Sequence, residues 1–244
     1  MSTEYRIAGD SCLIVHFANE ISLDINSKVI ALKSIIEQSE IPGIRELVPA
    51  YASLAVHYNP EVVRFESLKQ SIMALVDGMN VAYKAGDTRT VVELPVLYGG
   101  EFDNDLETCA GIEGISVDEL IKWHTDYYHY VFFLGFSPGH PYTARFERPF
   151  SFDRLPAPRL SIVAGSVVVR KNFTDLIPFE QPCGWYILGN TPLTITDFSK
   201  EEPFLIREGE WLKYTAISSN DYKLIKKDFE NGNYKINRYT ERTS

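Results

Sequence analysis

The short segment 135–142 carries an imidazole, a phenol and a phenyl ring on a stretch of chain that contains two glycines and two prolines. Proline fixes φ and lacks a backbone N–H, whereas glycine adopts angles that other residues resist. The aromatic and β-branched run at 127–133 just before it predicts a buried strand. A loop of this shape can exist simply to turn the chain. The three aromatic side chains of this one instead favour a ligand surface. We predict that this surface is formed by Phe136, Pro138, Gly139, His140, Pro141 and Tyr142.

Two further side chains could move a proton or hold an anion. His124 ends a helix predicted from the capping box Ser116–Glu119, directly before the buried strand. An imidazole can carry protons near neutral pH, although a single helical histidine is often structural. Arg159 ends the proline-rich segment 155–159, and a rigidly held guanidinium suits bidentate capture of a carboxylate or phosphate. The alternative for Arg159 is a surface ion pair.

A second group of candidates follows further along the chain. The small residues Gly165 and Ser166 allow close approach of a ligand or of backbone, but their spacing fits neither a Walker loop nor a GxGxxG fingerprint. Thr174, Glu180 and Trp185 lie in a segment rich in rigid, polar and aromatic groups. For Trp185 a core position is favoured over stacking on a ligand, and Glu180 could orient a substrate amine or cap a turn. No pair of histidines has metal-ligand spacing, so we predict no metal.

Composition and charge restrict the class of protein. The chain has 244 residues and a formal net charge of −9, which argues against general nucleic-acid binding because that requires a basic face. The three cysteines are far apart and form no CxxC pair, as is typical of reduced thiols in the cytoplasm. The N-terminal segment lacks the apolar region of a signal peptide, and no stretch reaches the length of a membrane span. We therefore expect a cytoplasmic protein that binds neither nucleic acid nor membrane.

The elements that hold these residues fall into two predicted domains. In residues 1–86, two strand pairs are each followed by an amphipathic helix. This pattern predicts an α/β sandwich with helices on one face of an antiparallel sheet, and residues 84–87 resemble a linker.

The second predicted domain, 87–220, contains many short strand-like segments separated by proline and glycine. This density predicts a closed or nearly closed β-barrel with short helices at its ends. The segments lie at 127–134, 161–164, 167–171, 184–188, 193–197 and 211–217. Residues 221–244 are predicted as a partly helical tail with a frayed end.

Many short motifs in the same order resemble one family over nearly the whole chain. They include IPGI at 41–44, VPAYASL at 48–54, PVLYGG at 95–100, GFSPGHPY at 135–142 and AGSV at 164–167. The chain resembles the family of the B-type subunit of 5-oxoprolinase, which is also described as KipI-type kinase inhibitors and as allophanate hydrolase subunit 1.

The resemblance implies an α+β fold, with an N-terminal α/β domain followed by a cyclophilin-like β-barrel. It also implies a protein that is inactive alone and works with the A-type subunit of 5-oxoprolinase and with a homologue of its C-type subunit. That complex is an ATP-dependent cyclic amide hydrolase, which converts 5-oxo-L-proline to L-glutamate. ATP is expected in the complex but not on this chain alone. In this scheme His124 is the expected proton shuttle, Arg159 the anion clamp, and the backbones of Gly139, Gly165 and Ser166 the polar donors.

The chain departs from the family pattern at several positions. His140 stands where the family usually has Phe, Asp175 and Cys183 where it has Gly, and Asn190 where it has Arg. Asp175 and Asn190 make the pocket less cationic if both side chains point into it.

Three alternative functions follow from the same resemblance. The first is inhibition of sensor histidine kinase autophosphorylation through a groove lined by Phe136, Tyr142 and Trp185. The second is an allophanate hydrolase or urea carboxylase type of subunit that acts on another amide. The third, prolyl isomerisation, rests on fold analogy alone.

Overall fold

The computed structural model describes residues 3–79, 88–100, 102, 105–144 and 148–242. These residues form two compact units, one before residue 88 and one over Thr88–Arg242. The predicted linker at 84–87, and with it the predicted domain boundary, lies outside the described residues. None of the helices within these ranges is long and apolar enough to cross a membrane.

The first unit is an antiparallel sheet covered by two helices. Its elements are β1 (Glu4–Ile7), β2 (Cys12–His16), α1 (Leu23–Gln38), β3 (Ile44–Pro49), β4 (Ser53–Tyr58) and α2 (Phe65–Gly78). The strand order is β1-β2-β4-β3. Successive side chains of a strand point to opposite faces of the sheet. Alternate residues of the two central strands are therefore buried in one cluster with α1 and α2, namely Leu13, Val15, Leu54 and Val56. The predicted α/β sandwich is confirmed.

The second unit contains most of the strands. They are β5 (Thr88–Tyr98), β6 (His129–Leu134), β7 (Pro141–Ala144), β8 (Arg159–Ile162), β9 (Ser166–Arg170), β10 (Phe173–Leu176), β11 (Gln181–Cys183), β12 (Tyr186–Asn190), β13 (Trp211–Ala216) and β14 (Arg238–Arg242). Its helices are α3 (Leu106–Glu113), α4 (Val117–Asp126) and α5 (Ser219–Glu230). The predicted capping box at the start of α4 is present, with Ser116 N donating to Glu119 and Glu119 N donating to Ser116 Oγ.

Seven of these strands close into a barrel in the order β12-β9-β10-β7-β6-β13-β5, and β12 pairs again with β5. Closure requires a glycine, because a Cβ on Gly189 would overlap the carbonyl oxygen of Leu97 and lie 2.9 Å from Val96 Cγ1. Strands β8 and β11 form a separate two-stranded antiparallel sheet, the β8–β11 sheet. Its residues Ile162, Cys183 and adjoining Trp185 pack on one side of the barrel wall. The predicted α+β class with a closed barrel is confirmed.

Two local predictions differ from the structure. The segment 193–197 is not a strand; it makes one isolated bridge, between Thr196 and Phe204. The predicted tail 221–244 contains the expected helix α5, but β14 pairs along β5 instead of fraying. Arg89 of β5 and Glu241 of β14 form an ion pair of 2.6 Å, and this long-range contact has no signature in the local sequence.

Candidate functional site

The loop between β6 and β7, residues 135–140, is held in a tight conformation by its own backbone. Gly135 N donates to His140 O at 3.0 Å, and His140 N donates to Ser137 O at 3.1 Å. Phe136 adopts a φ of +61°, which is uncommon for a residue with a side chain. The structure therefore has the rigid loop that the glycine and proline spacing predicts.

Gly139 seats this loop on the barrel. Its φ is +76°, and a Cβ there would overlap Thr196 Oγ1 and lie 2.9 Å from Phe204 Cδ1. Thr196 Oγ1 in turn donates to the carbonyl oxygen of Pro138 at 3.0 Å. Because Gly139 meets its neighbours so closely, the loop can shift little without losing these contacts.

The loop and its flanking strands present a continuous set of aromatic rings, here called the aromatic wall. Phe133 and Tyr142 stack with centroids 4.6 Å apart, and Tyr142 and His140 stack at 5.1 Å. Phe136 meets His140 edge-on at 6.0 Å and is 77% exposed. The wall can therefore offer flat apolar surface to a ligand at its solvent side.

One ring of the aromatic wall, that of His140, forms a buried acid–base pair with the carboxyl group of Asp175 behind it. His140 Nε2 is 3.3 Å from Asp175 Oδ2, and the two side chains are only 7% and 2% exposed. Thr143 N donates to Asp175 Oδ1 at 3.1 Å, and Gln181 Nε2 lies 3.4 Å from His140 Nδ1. Burial raises the pKa of Asp175, while the contacts with His140 and Thr143 partly oppose that rise. Two of the departures from the family pattern thus contact each other.

Two guanidinium groups border the same face of the barrel. Arg170 lies 4.8 Å from the ring centre of Phe173 and 5.0 Å from that of Trp185, and it pairs with Asp153 at 2.8 Å. Burial raises the pKa of Tyr142, and the charges of Arg154 and Arg170 act in the opposite direction. The charge of Asp175 adds to the effect of burial, so a ligand that contacts Tyr142 would lie between one carboxylate and two guanidinium groups.

His124 is in the interior and has no exposed surface. Its Nδ1 is 2.7 Å from the hydroxyl of Tyr98, and its ring packs against His129 and Tyr214 at 5.0 and 4.7 Å. Burial raises the pKa of Tyr98 well above its ordinary value, so its phenol keeps its proton and shares a hydrogen bond with Nδ1. These contacts favour a packing role for His124, and direct contact with a substrate would require the interior to open.

Arg159 is engaged by a carboxylate of the same chain. Its Nη2 donates to Asp105 Oδ1 at 2.7 Å, and its Nη1 donates to Trp185 O at 3.4 Å. The other oxygen of Asp105 accepts from Ile187 N at 2.7 Å. The ion pair thus links the segment before α3 to the start of β8 and to β12, which favours a structural role for Arg159.

The remaining predicted residues are distributed around the barrel. Gly165 N donates to Ile177 O and Ser166 N to Val163 O, so neither N–H is available to an oxyanion. Thr174 is buried and accepts from Thr143 through its carbonyl oxygen. Glu180 accepts from Ser161 Oγ at 2.6 Å, which links the residue before β11 to β8.

The structure brings together Phe136, His140 and Tyr142, with Trp185 on the adjoining face. Sequence reasoning missed Gln181, Arg154 and Arg170. No local signal could have identified Gln181, because its contact with His140 spans 41 positions and depends on how the β8–β11 sheet packs. Among the described residues, no group of three or more His, Cys, Asp and Glu side chains could hold a metal ion.

The chain is similar to one family model and to a known bacterial protein over most of its length. The family model described as carboxyltransferase domain, subdomain C and D, matches residues 3–206. The B-type subunit of 5-oxoprolinase from Bacillus subtilis (strain 168) is 35% identical to the chain over 240 residues. That match covers 93% of this chain and 99% of the relative.

Two solved structures are similar to the chain. TTHA0988 has a TM-score of 0.74 at 30% identity and covers 85% of this chain, which spans 40% of that longer chain. Kluyveromyces lactis urea carboxylase has a TM-score of 0.81 at 16% identity and covers 98% of this chain, which spans 24% of it. The second likeness concerns the fold alone. Because the family model covers most of the chain and the Bacillus relative nearly all of it, the chain belongs to the carboxyltransferase-domain family that includes the B-type subunit of 5-oxoprolinase.

Proposed function

We propose that this chain is the B-type subunit of an ATP-dependent 5-oxoprolinase, which opens 5-oxo-L-proline to L-glutamate. The observation that carries the proposal is the 35% identity with a 5-oxoprolinase component of the same type over 99% of that relative's length. A match over the whole length argues for a shared role better than a match to one motif does. The chain is one component of such a hydrolase in this proposal, and turnover belongs to the assembled complex.

The chemistry of the reaction fits the candidate site. A lactam is a poor electrophile, and ATP supplies the activation that lets water attack its carbonyl carbon. Binding then requires a surface for a small flat ring, polar groups for the amide and a cation for the carboxylate. The aromatic wall offers the first, and Arg154, whose charge acts on Tyr142, is our candidate for the cation.

The site of ATP is proposed to lie on another component of the complex. A phosphate cradle needs free backbone N–H groups on a glycine-rich loop. The candidate loop in this chain has both N–H groups engaged, since Gly165 N and Ser166 N donate to Ile177 O and Val163 O. We therefore assign no nucleotide contact to this loop.

The roles first considered for His124 and Arg159 are revised in the proposal. His124 is fully buried and bonded to Tyr98, and Arg159 is paired with Asp105. We assign both to holding the barrel together and assign direct substrate contact to the face beside the aromatic wall. Both assignments are tested by the variants described in the Discussion.

The proposed partners are the A-type subunit of 5-oxoprolinase and the homologue of its C-type subunit, both from the same organism. The test is co-purification of the tagged chain with these two proteins, followed by 5-oxoproline-dependent ATP hydrolysis. We expect the complex to hydrolyse ATP with release of glutamate, and the chain alone to do neither. Recovery of the complete complex without 5-oxoproline-dependent hydrolysis would contradict the proposal.

A second candidate is the inhibition of a sensor histidine kinase. It requires exposed apolar surface for a protein partner, and Phe136 and Phe198 are 77% and 64% exposed. The measurement is kinase autophosphorylation with and without the chain. Inhibition that is lost in Phe136→Ser but kept in Phe198→Ser would favour this function and assign it to the loop.

A further inference from the structure

We propose that Gln181, oriented by the buried His140–Asp175 pair, is the group that recognises the cyclic amide of the substrate. This inference rests on the proposed function, since it names the substrate-reading residue of that same site. Gln181 is the binding residue here, and His140 and Asp175 are positioning residues that act through it.

The first step is the protonation pattern of His140. A carboxylate only accepts hydrogen bonds, so the contact of 3.3 Å between His140 Nε2 and Asp175 Oδ2 places the proton on Nε2. In the neutral imidazole with its proton on Nε2, the other ring nitrogen, Nδ1, is an acceptor with a lone pair. Thr143 N fixes Asp175 through its second oxygen at 3.1 Å, so the carboxylate cannot turn away.

The second step is the orientation of the Gln181 carboxamide. An acceptor at His140 Nδ1 selects the amide nitrogen of Gln181, whose Nε2 lies 3.4 Å away. One N–H of Gln181 is hydrogen-bonded to the imidazole. If the amide flipped, its oxygen would face the lone pair on His140 Nδ1, which is unfavourable. The carboxamide is therefore held in one of its two orientations, which is the requirement for reading a donor–acceptor pattern.

The third step is that part of this carboxamide is open. Gln181 is only partly buried, and among the described residues no group donates to its Oε1. That oxygen is not fully buried, so it is accessible to solvent. A ligand can consequently reach Gln181 Oε1, an acceptor whose position is fixed by the contact of the same carboxamide with His140.

The fourth step is the chemistry that matches such a group. A primary carboxamide presents a carbonyl oxygen and an N–H side by side. A small-ring lactam presents the complementary pair, because its ring forces the N–H and C=O onto the same edge. An open-chain secondary amide is almost always trans and cannot offer both groups to one partner. The geometry thus selects cyclic over linear amides.

The neighbouring groups suit the rest of such a ligand. His140, which holds Gln181, stacks on Tyr142 at 5.1 Å and meets the exposed Phe136 at 6.0 Å. A flat five-membered ring bonded to Gln181 would lie close to this aromatic wall. Arg154 is exposed and shows no ion pair within the described part of the chain, so it is available to a ring carboxylate.

The test uses lactam binding to the full chain, measured by NMR, and kinetics of the assembled complex. The ligands are 5-oxoproline, 2-pyrrolidinone and N-methyl-2-pyrrolidinone, of which the last lacks the N–H. We expect 5-oxoproline and 2-pyrrolidinone to shift the side-chain NH2 signals of Gln181, and the N-methyl compound to bind about tenfold more weakly or not at all. Equal binding of the two pyrrolidinones would overturn the inference, as would no binding of any lactam to chain or complex.

The variants separate recognition from folding. Gln181→Leu should raise KM for 5-oxoproline about tenfold or more with kcat changed far less, and the matched control Gln70→Leu, on the exposed surface of α2, should leave both unchanged. His140→Phe keeps a ring in place but should abolish the preference for the N–H lactam. A merely structural role would leave that preference intact.

The outcomes distinguish this inference from the proposed function. Lactam binding at Gln181 in a complex that does not hydrolyse 5-oxoproline would support the inference and contradict the function. Turnover of 5-oxoproline with an unchanged KM in Gln181→Leu would support the proposed function and contradict the inference.

Discussion

The imidazole of His140 and the carboxylate of Asp175 meet behind the aromatic wall, with Nε2 3.3 Å from Oδ2 and both side chains almost completely buried. The contact joins the end of the β6–β7 loop to strand β10. A buried carboxylate requires hydrogen-bond partners, because removing the imidazole would leave Asp175 desolvated with one partner fewer. The pair therefore couples the position of the loop to the ionisation of one carboxyl group.

The first prediction concerns Asp175 and pH. Burial raises the pKa of Asp175 above its ordinary value of 3.8, so the folded chain holds this proton more tightly than the unfolded chain. The free energy of unfolding contributed by this group is then greatest below pH ~3.8 and falls as pH rises through the raised pKa. Compared with Asp175→Asn, the wild type should lose stability across that acidic window, by at most ~1.4 kcal/mol per pH unit. Urea unfolding at a series of pH values measures the difference.

The control for this prediction is Asp197→Asn. Hydrogen bonds from Ser199 lower the pKa of Asp197, so its contribution has the opposite sign and is lost as pH falls. The quantity compared is the free energy of unfolding of the wild type minus that of the variant. For Asp197→Asn this difference should rise with pH. If it also rises with pH for Asp175→Asn, burial is not the dominant cause of the shift in the pKa of Asp175.

Much of the fold could be predicted because its signals are local. The buried alternation in β2 and β4, the capping box at Ser116 and the spacing of apolar residues in α1 are each set by residues within one turn or one strand. The loop at 135–142 is equally local, since its glycines and prolines restrict the backbone wherever the loop lies. These features are present in the structure at or near the expected positions.

The partners of the candidate residues could not be predicted in the same way. Arg159 pairs with Asp105 across 54 positions, and His140 contacts Asp175 across 35. Such pairs depend on barrel closure and on the packing of the β8–β11 sheet, neither of which leaves a periodic pattern in the sequence. His124 illustrates the consequence: its place at the end of α4 was correct, but its burial against Tyr98 became visible only in three dimensions.

The second prediction concerns Arg159 and Asp105. If the pair is structural, Arg159→Leu should lower the free energy of unfolding by about 1–2 kcal/mol, because Asp105 loses its charged partner. The double variant with Asp105→Asn should cost less than the sum of the single variants. Chemical denaturation of the four proteins measures this coupling.

Arg6→Leu is the matched control, since Arg6 pairs with Glu4 on the surface, with side chains 52% and 53% exposed, and should contribute less to stability. Turnover per folded complex should persist in Arg159→Leu. Loss of turnover in a fully folded Arg159→Leu complex would restore its role as an anion clamp.

The third prediction concerns Tyr98 and His124. Tyr98→Phe removes the hydroxyl that is hydrogen-bonded to His124 Nδ1 at 2.7 Å and should lower the free energy of unfolding by about 1–2 kcal/mol. Tyr186→Phe, in the same barrel, removes a hydroxyl that has no partner within the described residues and should be nearly neutral. Thermal and urea unfolding provide the comparison. A fall in kcat without a fall in stability would instead favour proton transfer through His124.

The fourth prediction concerns Gly139, whose φ of +76° disfavours any other residue and whose missing Cβ makes room for Thr196 and Phe204. Gly139→Ala should therefore destabilise the chain by the backbone strain of about 1 kcal/mol and by the additional overlap. Gly209→Ala is the control, because its φ is +83° but a Cβ there meets nothing within 4 Å. In denaturation experiments Gly139→Ala should have a much lower free energy of unfolding than Gly209→Ala. Lactam binding should weaken only in Gly139→Ala, because the overlap there displaces the loop that carries the aromatic wall. Equal stability of the two variants would mean that the loop yields easily and is not the rigid support that the site requires.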